Sequence, residues 1–89
     1  MVRVSFTPHL RLHVDCPDLS VTGETVSLVL EQVFQHYPRL RGYVLDDQSC
    51  LRKHVTIFVN NEPVRDRLRL TDAVQAGDQV FVFQALSGG

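Results

Sequence analysis

The sequence predicts an α+β roll, a mixed sheet of four to five strands wrapped over one main helix. Three observations predict it. The elements run strand, strand, helix, strand, short strand, turn, strand. One segment alone has an unbroken helical stripe of apolar residues. The first and last strands are both strongly apolar, which suits parallel neighbours in the middle of a sheet.

Val2, Val4 and Phe6 alternate with Arg3, Ser5 and Thr7, the pattern of a half-buried strand. Thr7-Pro8-His9 interrupts it, because proline donates no hydrogen bond to a ladder. A second alternation, Leu10, Leu12 and Val14, together with Leu19-Ser20-Val21 beyond a break at 15–18, is read as the second strand, antiparallel to the first. His9 and His13 would face one another on a helix but not on such a strand, so they are read as solvated side chains rather than a metal pair.

Thr25 can cap a helix in which Val26, Val29, Leu30, Val33, Phe34 and Tyr37 recur at helical spacing, and Pro38 stops it. Its three valines lower intrinsic helix propensity, so packing against the sheet must hold it. Residues 39–53 are mostly polar, with Leu40, Tyr43, Val44 and Leu45 suggesting a short structured turn. Asp46 and Asp47 fit a solvated turn better than acid–base work, since adjacent side chains point different ways. His54 to Val59 is a strand, Asn60-Asn61 a hairpin turn that tolerates positive φ, and Glu62 to Arg65 a short edge strand containing Pro63. Leu68, Leu70, Ala73 and Val74 lie in a turn-rich connection, and Gly77-Asp78 introduces the last strand, Gln79 to Gln84.

That strand is apolar on both faces, with Val80 and Val82 on one and Phe81 and Phe83 on the other. A single helix cannot cover two faces. Phe58, Phe81 and Phe83 are therefore expected to lie partly in the open and dock a partner; the alternative is a core strand shielded by the 39–53 segment. Leu86 joins them as a partner-binding candidate.

Eighty-nine residues suit one domain with a modest core, here residues 1–83 followed by a flexible tail over 84–89. Apolar residues at 44% and charged residues at 21% are the balance of an ordinary globular protein. A net charge of -1 argues against nucleic-acid binding, and the lack of a long apolar run or signal peptide against membrane association, so a cytoplasmic location is expected. Cys16 and Cys50 fit neither a disulfide framework nor metal-ligand spacing and read as incidental thiols.

The tail, Gln84-Ala85-Leu86-Ser87-Gly88-Gly89, is the chain's least ordinary stretch. Two glycines without Cβ atoms suit threading through a narrow channel. The α-carboxylate of Gly89 would be the group delivered, a poor electrophile until a partner activates it. A frayed end or a cloning remnant is the plain alternative.

The run Val55-Thr56-Ile57-Phe58-Val59-Asn60-Asn61-Glu62-Pro63-Val64-Arg65, then Ala76-Gly77-Asp78-Gln79-Val80-Phe81-Val82, then Ala85-Leu86-Ser87-Gly88-Gly89, resembles the MoaD/ThiS family of ubiquitin-like sulfur carriers. The long 39–53 segment is similar to the longer, CysO-like members. This resemblance implies a β-grasp fold. It also implies that Gly89 is adenylated by a ubiquitin-activating-type (MoeB/ThiF-like) adenylyltransferase and converted to a thiocarboxylate, with Gly88 permitting threading. A sulfurtransferase or sulfide source and a downstream sulfur-accepting synthase would be further partners. The chain would be a co-substrate and not an enzyme, binding no cofactor itself; ATP and the sulfur donor belong to the partner. Consistent with that, no G-x-x-x-x-G-K-S/T phosphate loop occurs. Ser87 stands where the family commonly has alanine, which leaves the chemistry intact and the pathway open: molybdopterin, thiamine, cysteine or another thio-metabolite. Two other readings compete: a ubiquitin-like modifier joined to lysines through Gly89, and an enzyme using His36 or His54 as base with Cys50 as nucleophile.

Overall fold

The computed structural model describes residues 1–84. Its sheet has five strands, β1 (Val2–Phe6), β2 (Leu19–Val21), β3 (Val55–Val59), β4 (Glu62–Pro63) and β5 (Gln79–Gln84), in the spatial order β2-β1-β5-β3-β4. β5 is central, parallel to β1 and antiparallel to β3, as expected of the apolar first and last strands. Val4, Val80, Val82 and Ile57 line the inner face, essentially without solvent contact, within one core that also takes in the buried side of α2 (Val26–His36). Thr25 caps this helix by accepting the Leu28 N–H at 3.2 Å. Val26, Val29, Leu30, Val33 and Phe34 are its buried stripe.

The second expected strand is shorter than the alternation suggested. Pro8–Arg11 forms a turn of helix, α1, and only Leu19–Val21 pairs with β1. Leu10 and Val14 are four residues apart, a spacing that satisfies a period of two and a period of 3.6 alike. Pro8 at the first helical position decides for the helix, with the Leu10 and Arg11 N–H groups both donating to Thr7 O. Leu12 consequently points outward at 80% exposure. The two histidines of this turn do approach, contrary to the expectation from a strand: their ring centroids are 5.2 Å apart, and His13 stacks on Tyr43 at 5.6 Å.

The 39–53 segment contributes to the core from the helix side. A 3₁₀ turn (Pro38–Leu40) runs into α3 (Arg41–Val44), Leu45 bridges to Leu51, and Leu40, Val44, Leu45 and Leu51 are buried. Arg41 lies 5.6 Å over the Phe34 ring and 3.6 Å from Glu31, which ties α3 to α2. Asp46 closes its own turn by accepting the Gln48 and Cys50 N–H groups.

Asn60 and Asn61 both take left-handed φ, 50° and 72°, as the tight hairpin demands. Asn60 then binds the central strand: its Nδ2 donates to Asp78 Oδ1 and its Oδ1 accepts from Gln79 N, both at 2.9 Å. Gly77, at φ 91°, makes the turn that aims Asp78 at this contact. β4 is two residues rather than four, because the Arg65 and Asp66 N–H groups leave the ladder for the Asp72 carboxylate.

Asp66 organises the connection that follows. It accepts from the N–H groups of Leu68, Arg69 and Thr71 and from the Thr71 hydroxyl, and these bonds hold its carboxyl at about 2, against an ordinary 3.8. The same turn holds Leu70 at φ 56°, uncommon for leucine, and delivers its side chain to the core. A folded-state carboxyl below its unfolded value stabilises fully above the unfolded value, and that contribution disappears as pH falls toward 2. Urea unfolding between about pH 4 and pH 2 should therefore show stability falling in the wild type and a shallower fall in Asp66→Asn; parallel curves would remove Asp66 from the account.

Candidate functional site: an open aromatic face beside the C-terminal strand

The face of the sheet turned away from α2 carries the residues opposite in parity to the core valines. Phe58 pairs directly with Phe81 across β3 and β5, and Thr56 with Phe83. The three rings form one cluster: Phe58 and Phe83 meet edge-on with centroids 6.2 Å apart, and Phe81 and Phe83 are tilted at the same separation. Phe58 and Phe81 are half-buried, while Phe83 is 39% exposed. Beside them a shallow depression of about 380 Å³ opens between Ser5, Asn61 and Gln79. The 39–53 segment leaves this face uncovered, since its apolar side chains are buried on the helix side.

Thr7 is the residue that the sequence reading passed over. Its N–H donates to Val82 O at 3.1 Å and its hydroxyl accepts from Gln84 N at 3.3 Å, so β1 holds β5 to its last residue. Gln84 pairs with Val55 and belongs to the strand, whose expected bounds, Gln79 to Gln84, are those observed. A threonine before a proline at a strand end was the available signal. Leu86, Gly88 and Gly89 lie outside the described residues.

Other candidate groups are placed apart from this face or committed elsewhere. A depression of about 440 Å³ around the Asn60 hairpin contains Glu62, Asp72 and Asp78, but Asp72 and Asp78 are occupied by backbone N–H groups. His36 and His54 are exposed on separate elements, and Cys50 sits in the Asp46 turn with its thiol donating to Gln48 O. Burial pushes the Cys16 thiol above its ordinary value. Among the described residues no three His, Cys, Asp or Glu side chains are grouped to hold a metal ion, and no helix is long and apolar enough to cross a membrane.

A model of the ThiS family matches residues 16–89, from the approach to β2 through the end of the chain. The chain belongs to the ThiS family. This ThiS-family protein is 32% identical to the sulfur carrier protein CysO of Mycobacterium tuberculosis over 91 residues, covering 99% of this chain and 98% of CysO. Its fold superimposes with a TM-score of 0.85 at 26% identity on a chain of the Amycolatopsis orientalis BexX/CysO complex, with full coverage of both. SAMP1 of Haloferax volcanii follows at 0.80 and 25% identity, covering 99% of this chain and 98% of that one. The fold is the ubiquitin-like β-grasp, as the asparagine turn, the Gly-Asp turn and the closing glycines implied.

Proposed function

We propose that this ThiS-family protein is a cytoplasmic sulfur carrier whose Gly89 carboxylate is adenylated by a MoeB/ThiF-like enzyme and converted to a thiocarboxylate. One observation carries the reading: the central strand is held by both neighbours up to Gln84, the residue before the last five, and carries Phe81 and Phe83 on an open face. Full-length similarity to a sulfur carrier supports it. In the first step the Gly89 carboxylate oxygen attacks the α-phosphorus of ATP, and pyrophosphate leaves. Sulfide from a donor then attacks the acyl carbon and AMP leaves; ATP and the donor are bound by partners. The thiocarboxylate sulfur then attacks an electrophilic acceptor held by a downstream synthase, and water cleaves the acyl–sulfur bond to restore the Gly89 carboxylate. Cysteine formation is the destination that the CysO likeness favours.

Incubation with ATP, a sulfide donor and the activating enzyme should shift the intact mass by one oxygen-to-sulfur exchange. An unchanged mass in the presence of an enzyme active on its other carriers would refute the reading. The likeness to SAMP1, whose name denotes a small archaeal modifier protein, favours a second reading in which a lysine amine attacks the same adenylate. Covalent ladders on other proteins that depend on Gly88-Gly89 would mark that outcome.

Phe58, Phe81 and Phe83 dock the activating enzyme in this proposal. Phe81→Ala should raise the KM for adenylation about 5- to 30-fold, equivalent to about 1 to 2 kcal/mol, with the circular dichroism of the fold unchanged. Equal kinetics for variant and wild type would take the aromatic face out of the docking site.

A further inference from the structure

The net charge of -1 conceals a local excess of cations at the end of the sheet where β5 stops. Val55 pairs with Gln84, so the turn of Arg52, Lys53 and His54 leading into β3 lies beside the last described residue. Arg67 reaches the same place from the opposite direction. Its Nη2 donates to Val55 O at 2.7 Å and to Arg52 O at 2.9 Å, and its Nη1 to Thr56 Oγ1 at 3.4 Å. Lys53 has no hydrogen-bonding or ion-pair partner among the described residues, and neither Arg52 nor Arg67 pairs with a carboxylate there. Arg52 shares a depression with Asp46 and Asp47, which offset its charge, so Lys53 and Arg67 carry the excess.

Distance makes this position consequential. Five residues separate Gln84 from the terminal carboxyl. An extended chain advances about 3.5 Å per residue, so the carboxyl reaches at most about 17 Å from the strand. A protein that encloses Gly89 in an active site must therefore bring the entrance of that site against the residues flanking Gln84. A guanidinium fixed by three hydrogen bonds loses little freedom on meeting a carboxylate, and the exposed Lys53 ammonium adds long-range attraction.

We infer that Lys53 and Arg67 form a cationic rim at the root of the tail that docks onto acidic side chains around the mouth of the activating enzyme's channel. The inference rests on the sulfur-carrier reading and adds to it the charge of the partner's entrance. Such a rim acts chiefly on encounter, aligning the tail before the aromatic face settles.

The test is ATP–pyrophosphate exchange by the activating enzyme of the same organism on the full chain, with salt varied from about 50 mM to about 500 mM to screen the contact. Lys53→Glu should raise KM about tenfold at low salt with kcat unchanged, and the wild-type KM should climb with salt toward that of the variant. Glu62→Lys, at the other end of the sheet, should behave as wild type. Equal KM values for Lys53→Glu and wild type at low salt would overturn the rim while leaving Gly89 activation intact. No exchange with the wild type would overturn both. ATP alone, without enzyme, shifting the amide resonances of Lys53 and Arg67 would reassign the site to nucleotide phosphate and sink the protein-docking role.

Discussion

A chain ending at Ser87 keeps the wild-type melting curve and acquires no sulfur. The described core is built from residues between Val2 and Val82, so removing Gly88 and Gly89 leaves every one of its side chains in place. It does draw the terminal carboxylate back onto Ser87, two residues short of where the partner receives it, and removes the two residues narrow enough to enter a close-fitting channel. Adding one residue after Gly89 should have the same consequence, because the carboxylate then lies one residue beyond the position at which the partner receives it. Intact-mass analysis after incubation with ATP, sulfide donor and activating enzyme reads both variants directly. Thiocarboxylate on the truncated chain, or undiminished activation of the extended one, would mean that the terminal carboxyl is not the reactive group.

Ile57→Ala unfolds far more easily than its neighbour Phe58→Ala. Ile57 has no solvent exposure and sits across from Val82, which has none either, so shortening its side chain leaves a cavity in the middle of the sheet's inner face. The expected cost is about 3 kcal/mol, from a total of about 5 to 13 kcal/mol for a domain of this size. Phe58 is one residue along, on the open face, and its truncation removes surface that was never fully covered. Urea denaturation should separate the two variants clearly, while activation kinetics should rank them the other way round once both are measured under folding conditions. Equal destabilisation by both would mean that the aromatic face is core.

The same alternation that divides these two neighbours made the sheet legible in advance. In β3 and β5 the period of two has a single interpretation, because the runs are long, β-branched or aromatic, and closed by turn residues. Asn60-Asn61 could be read as the hairpin because few residues accept positive φ at both positions. The 10–14 segment was ambiguous for the opposite reason: its buried residues are four apart, and only the Thr7–Pro8 start shows which period applies. The length of β4 was beyond reach of local pattern, since it is set by Asp72, seven residues further on, taking the N–H groups that would have continued the ladder.

Sequence alone determined the class of fold, the helix and its cap and the two-faced apolar strand, since each depends on residue type and short-range spacing. Only the tertiary structure decided that the three phenylalanines form one cluster, that the 39–53 segment packs on the other side, and that Arg67 donates to the carbonyl of Val55, the residue paired with the strand's last. Those facts depend on which strands lie side by side and in what register. Pairing of residues 29 positions apart in the chain, Val55 with Gln84, is chosen by the packing of the whole core and leaves no mark in local sequence.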